Sequence, residues 1–195
     1  MTLVRSRFAD LFSLATDLGP YDFWPVLPAG QDPQLHVSLN DRPQPFHLAH
    51  EHDAVLVQFS GRASVQFPEG PVRWHRLVPG DHVYLPAGLP YRVVTDAPCL
   101  QLLMKAEDAG LEAIAWYCDG CDQLLDRTDV DTNEDLVQRH FHSVCSAFNQ
   151  STERRTCDRC GTVRPPVDLT PFNWLAVADL IENPAPAPEP AWGTS

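Results

Sequence analysis

Two short segments repeat one pattern: Cys118-Asp119-Gly120-Cys121 and Cys157-Asp158-Arg159-Cys160-Gly161. Two-residue spacing lets both thiolates of a tight turn point at one ion, and two such turns close a tetrahedral four-sulfur site. Sulfur-only coordination suits zinc or iron and leaves no open position, so the expected role is structural. Gly120 and Gly161 are expected where the turn backbone closes on sulfur. The 35 residues between the pairs leave room for a helix. Cys99 and Cys145 lack partners at metal spacing and read as buried small apolar residues.

A second group of ligand types is crowded into His47, His50, Glu51, His52 and Asp53. Imidazole with carboxylate suits Fe(II). On an extended backbone His50 and His52 face one way and Glu51 the other. His47 has the opposite parity and needs a loop or bulge to join them. The candidate set is therefore His50 and His52 with His47 or Asp53 as third ligand, and His82 and Tyr91 are within reach of the same argument. The competing reading is a solvated polar loop.

The elements that must hold these residues show as changes of periodicity. Residues 6–18 have apolar positions spaced for an amphipathic helix, and Pro20, Pro25 and Pro28 force an irregular connection after it. Strands are predicted at His36–Asn40, Ala54–Phe59, Ala63–Phe67, Val72–Val78, His82–Leu85, Tyr91–Thr95 and Leu100–Lys105. Ser60-Gly61, Pro68-Glu69-Gly70 and Pro79-Gly80-Asp81 mark the turns. Short strands this closely spaced predict an all-β closed antiparallel barrel or jelly roll. Trp24, Phe46, Trp74 and Tyr84 are candidates for core or pocket wall, core for most. A helix is predicted over Asp135–Phe148, between the cysteine pairs, with a further turn or two at Leu175–Ile181. Residues 183–195 are Pro/Ala-rich and read as a mobile tail. The expected division is 1–115 for the barrel with its helix, 116–182 for the cysteine region and 183–195 for the tail.

The 195 residues carry a formal net charge of -12 and are 44% hydrophobic. That suffices for a real core, and the negative charge disfavours nucleic acid and anionic membrane as partners. With neither a signal-type apolar run nor a span-length one, the expected location is the cytoplasm, where paired C-x-x-C reads as metal binding before disulfide.

Gly80 through Pro86-Ala87-Gly88 to Tyr91 has the spacing of the second cupin motif, and Leu48 to Ala54, followed by Gln58 and Gly61, sits where the first should be. Together with the Trp116-Tyr117-Cys118 entry to the first cysteine pair, Glu153-Arg154-Arg155 and Asn40-x-Arg42, these motifs resemble the bacterial 3-hydroxyanthranilate 3,4-dioxygenases over roughly residues 34–165. The resemblance implies a cupin barrel with a rubredoxin-like second metal site, a homodimer, and ring opening with Fe(II) and O2. The family's iron sits on two histidines and a glutamate. Those positions fall here on Leu48, Tyr91 and Ala54, a substrate-contacting glutamate falls on Leu103, and an arginine falls on Thr95. Leucine and alanine cannot bind iron. Of the family's carboxylate-holding residues Arg42 survives. Its planar fork suits a carboxylate, and a surface ion pair is the competing role. The implied function is a divergent, iron-dependent, dioxygenase-like cupin acting on a small aromatic or amino-acid-like carboxylate held by Arg42 and Tyr91. The alternative is a catalytically inactive barrel that serves as a binding or assembly module.

Overall fold

The computed structural model describes residue 3 and residues 10–107 and 110–184. The predicted N-terminal helix is seen as α1, Leu11–Ala15; it starts at Asp10, whose carboxylate accepts from the amides of Phe12 and Ser13. The earlier part of that prediction, and the tail from 185, lie outside the described residues.

The strands are β1 (Trp24–Pro25), β2 (Gln34–Asn40), β3 (His47–His50), β4 (Ala54–Ser60), β5 (Ala63–Gln66), β6 (Trp74–Leu77), β7 (His82–Leu85), β8 (Arg92–Val94), β9 (Cys99–Lys105), β10 (Leu111–Tyr117) and β11 (Leu124–Asp131). Each predicted strand is present within a residue or two at its ends. Four more appear: β1, β3, β10 and β11. They hydrogen-bond as one sheet in the order β1-β2-β9-β4-β7 and two of three strands, β11-β10-β3 and β6-β5-β8. The bridge Leu48↔Tyr91 joins the smaller sheets. The result is a mostly antiparallel jelly roll, as the short strands predict. It is not a closed ring, because β6 and β7 end their sheets without partners among the described strands.

Alternation along the strands sets the layers. On β9 Cys99, Gln101, Leu103 and Lys105 share one face, and Leu103 enters the main core beside Leu56, Leu85 and Tyr91. The opposite face sends Leu100 and Leu102 into a smaller cluster with Trp24, Val37 and the α1 residues Leu14 and Ala15. The connection between β4 and β5 passes Gly61 at φ +68°, where an added Cβ would lie 2.4 Å from the Pro98 carbonyl oxygen. Only glycine fits that close approach without moving the backbone.

The C-terminal helices are α2 (Val137–Gln150), α3 (Thr152–Arg155) and α4 (Trp174–Glu182). They join the same core: Trp116 stacks on Phe148 with ring centroids 4.0 Å apart and planes 5° from parallel. Phe46 contacts Trp116, Phe141 and Trp174. Burying each such ring stabilises by about 1.5–3 kcal/mol, so α2 is fastened to β10 rather than hung from it. Trp24 and Phe46 are core, whereas Trp74 and Tyr84 are half exposed on β6 and β7. Among the described residues no helix is long and apolar enough to cross a membrane.

Candidate metal centre and barrel interior

The four predicted thiols converge. Cys118, Cys121, Cys157 and Cys160 place their Sγ atoms within 4.8 Å of one another, with 3.4 Å from Cys118 to Cys160 and 3.5 Å from Cys121 to Cys157. Zinc–sulfur bonds of about 2.3 Å would set tetrahedral sulfurs roughly 3.8 Å apart, so the quartet could hold a metal ion. Among the described residues it is the one group of three or more ligand types that does so.

The two knuckles match bond for bond. Asp122 N donates to Cys118 O at 2.9 Å, and Gly161 N to Cys157 O at 2.8 Å; Cys118 N donates to Gln123 O, and Cys157 N to Thr162 O. The residue after each second cysteine takes a left-handed backbone, Asp122 at φ 57° and Gly161 at φ 74°. The counterpart of Gly161 is thus Asp122, not Gly120. Gly120 is needed for room instead: an added Cβ would lie 3.1 Å from Thr162 Oγ1 and 3.7 Å from Cys160 Sγ. Its amide points at Cys118 Sγ, 3.4 Å away. Hydrogen bonding by the Thr162 side chain and backbone pulls the Cys160 thiol down, while burial and the neighbouring thiols push Cys121 up, so without a bound ion the four sulfurs share their protons.

Arginines lock the second knuckle to the sheet. Arg154 donates from Nε to Asp126 Oδ1 at 2.9 Å and from Nη2 to Thr128 Oγ1 at 3.1 Å, both on β11. Arg155 donates to Arg164 O at 2.8 Å, and Arg164 to Tyr117 O beside the first knuckle at 2.8 Å.

The histidine-rich segment does not assemble. β3 is regular from His47 to His50, so the two side chains at its ends point to opposite faces. No bulge brings His47 round. It is buried against the Tyr117 ring, centroid to centroid 4.8 Å, and its Nε2 has no hydrogen-bond partner. Burial first, then the charges of Arg92 and Arg164, hold it neutral with a pKa near 3. The strand ends at His50; Glu51, His52 and Asp53 are exposed. Asp53 accepts from Ala87 N at 2.9 Å, and His82 is exposed on β7.

The positions that the resemblance aligns with iron ligands and substrate contacts lie in the hydrophobic core. Leu48, Ala54, Tyr91 and Leu103 are each at most 2% exposed and belong to one apolar cluster. Thr95 turns its hydroxyl onto the carbonyls of Arg62 and Ala97. Arg42 is half-exposed and grips Asp41 at 2.7 Å. It lines a surface groove of about 240 Å³ with Arg164, Asp168 and prolines. Tyr91 is instead inside the barrel, so the two expected substrate residues are not neighbours across one cavity.

What the interior holds is a charged quartet. Glu112 Oε1 accepts from Lys105 Nζ and from His50 Nδ1, the latter at 3.1 Å, and His50 Nε2 lies 3.0 Å from Tyr91 Oη. Burial pushes the Glu112 carboxyl up, but Lys105 and then His50 more than reverse that and hold it ionised, well below the usual carboxylate range. Tyr91, wholly buried and near Glu112, is pushed well above its usual value. The buried Glu112 carboxylate is thus paired with a lysine at the end of β9. Sequence reasoning missed Lys105 and Glu112. Glu112 shares the inward face of β10 with Ile114 and Trp116, but no apolar–polar alternation marks that strand in the sequence. A second polar chain runs beside it, from Asn40 Nδ2 to Gln101 Oε1 at 2.7 Å and Gln101 Nε2 to Gln58 Oε1 at 2.8 Å.

No family model matches the chain. Curated relatives do. It is 28% identical over 149 residues to the 3-hydroxyanthranilate 3,4-dioxygenase of Jannaschia sp., covering 74% of this chain and 77% of that one. It is 30% identical over 107 residues to that of Shewanella woodyi, covering 53% of each. The match to the Burkholderia cenocepacia enzyme is 28% over 89 residues, covering 44% of this chain and 49% of that one. The chain thus spans about half the length of these last two. Among solved structures, a hydroquinone 1,2-dioxygenase superposes with a TM-score of 0.44 at 22% identity, over 51% of this chain and 72% of that one. A cupin-2 domain protein from Shewanella frigidimarina also gives 0.44, at 12% identity, over 51% and 94%. These alignments make the chain a distant, divergent relative of the 3-hydroxyanthranilate 3,4-dioxygenases.

Proposed function

We propose that the chain is a cupin that has given up its relatives' barrel metal and serves as a binding module, its C-terminal third fastened by one ion in the cysteine quartet. The observation that carries this is the apolar packing of Leu48, Ala54 and Leu103, with Tyr91 turned onto His50. Among the described residues only the cysteines group three or more metal-ligand side chains, and the interior's His50–Glu112 pair is taken up by Lys105 and Tyr91, so the barrel does not fit iron and no oxygen chemistry is routed through it. The cysteine site does fit a metal, zinc or iron. There Cys118 and Cys121 at the end of β10 would be cross-linked to Cys157 and Cys160 after α3. Such a bond contributes folding free energy directly.

The test uses the relatives' own reaction. The protein, loaded with Fe(II) without oxygen and mixed with 3-hydroxyanthranilate, should give no ring-opened product when O2 is admitted. Rapid absorbance growth of that product would overturn the proposal.

A further inference from the structure

One member of the charged quartet also lines a cavity. Lys105 ends β9 and lines a cavity of about 120 Å³, walled by Pro25, Leu136, Val137 and Ile181 and by the polar side chains of Thr132 and Gln138. That is space for roughly four waters at about 30 Å³ each, or for one molecule of about six heavy atoms.

Its two inner polar groups are fixed and incompletely used. Lys105 is 8% exposed, and among the described residues Glu112 is its only hydrogen-bond partner. An ammonium has three donors, so two remain. Gln138 is 2% exposed. Its Nε2 donates to the carbonyls of Asp22 at 2.9 Å and Phe23 at 3.1 Å, which fixes which way the amide faces. Its Oε1 has no partner. The cavity therefore combines a cation with spare donors, a buried acceptor without a donor, and a short apolar wall. At the rim His36 and Glu107 complete the polar groups, Glu107 accepting from the Gly30 amide.

From this arrangement we infer that the cavity beside Lys105 binds a small carboxylate carrying a hydroxyl group. The carboxylate meets the Lys105 ammonium as a charge-assisted pair. The hydroxyl donates to Gln138 Oε1, and two or three carbons rest on Leu136, Val137 and Ile181. The inference rests on the reading of the barrel as an iron-free binding module and names its ligand and site. Metal analysis and ligand titration report on the two separately, so either can fail alone.

The experiment is titration of the full chain with sodium L-lactate, followed through the backbone amide signals of Thr132, Val137 and Gln138. Saturable shifts are expected, with Kd about 1 mM, a value in reach of a six-atom ligand. Propionate, which lacks the hydroxyl, should bind at least about fivefold more weakly, because Gln138 Oε1 stays unpaired. Propane-1,2-diol, which lacks the carboxylate, should give no saturation. Lys105→Met/Glu112→Gln removes the cation without stranding a buried charge. Leu136→Trp fills the cavity mouth and leaves the quartet alone. Each should weaken lactate binding at least about tenfold. Lactate binding unchanged in either variant, diol binding equal to lactate, or no saturation by about 100 mM would overturn the inference.

Discussion

At the scale of single residues, the balance of charge inside the barrel decides most. Lys105 and Glu112 are both buried, and a buried ion pair adds little net stability, whereas breaking one exposes the full desolvation cost of the survivor. Lys105→Met should therefore lower unfolding free energy by about 3–5 kcal/mol in chemical denaturation, and Lys105→Met/Glu112→Gln should recover most of it. Additive losses would mean the pair is not coupled. Asp22 makes a different claim. Its side chain is fully buried, its Oδ2 accepts from Gly19 N, and its Oδ1 has no partner. Burial raises its pKa from 3.8 to about 6. The folded state then holds a proton that the unfolded state releases, so this stability is complete below pH 4 and lost as pH rises through about 6. Asp22→Asn should flatten the pH dependence of melting between pH 4 and 7 and raise stability at neutral pH by about 1–3 kcal/mol. A variant that melts like the wild type at both ends of that range would refute the assignment.

At the scale of elements, β10 does the connecting. Its inward residues Glu112, Ile114 and Trp116 meet the quartet, the core and α2 in turn, and the strand then runs into Cys118. This strand and β3 were absent from the sequence reading, for a physical reason. Both are buried on both faces, so Leu48-Ala49-His50 and Ala113-Ile114-Ala115 show no apolar–polar alternation. β4 and β7 are short apolar runs cut off by turn residues, and the reading found them on that signal. The knuckles were legible because two-residue cysteine spacing is itself a geometric statement. The left-handed Asp122 was not, because no residue type announces it. Since the ion would tie β10 to the segment after α3, Cys157→Ser should abolish bound metal, lower Tm by about 5–10 °C and open residues after Tyr117 to protease. Unchanged melting and proteolysis would show that aromatic packing alone holds the region.

At the scale of the whole molecule, the barrel interior and the cysteine site are built from different chemistry. The interior is filled by leucines and a Lys105–Glu112–His50–Tyr91 chain, while the cysteine quartet could hold a metal ion. The jelly roll was legible because turn residues cut the chain into short, closely spaced apolar runs. The fate of the histidine cluster was not, since parity alone does not say where a strand stops, and β3 stops at His50. The most direct measurement is elemental analysis of metal per chain. Wild type should carry a single zinc or iron ion. That ion should vanish in Cys118→Ser/Cys121→Ser and persist unchanged in His50→Ala/His52→Ala. A second ion in the wild type that survives loss of the cysteines and disappears with the histidines would contradict the account.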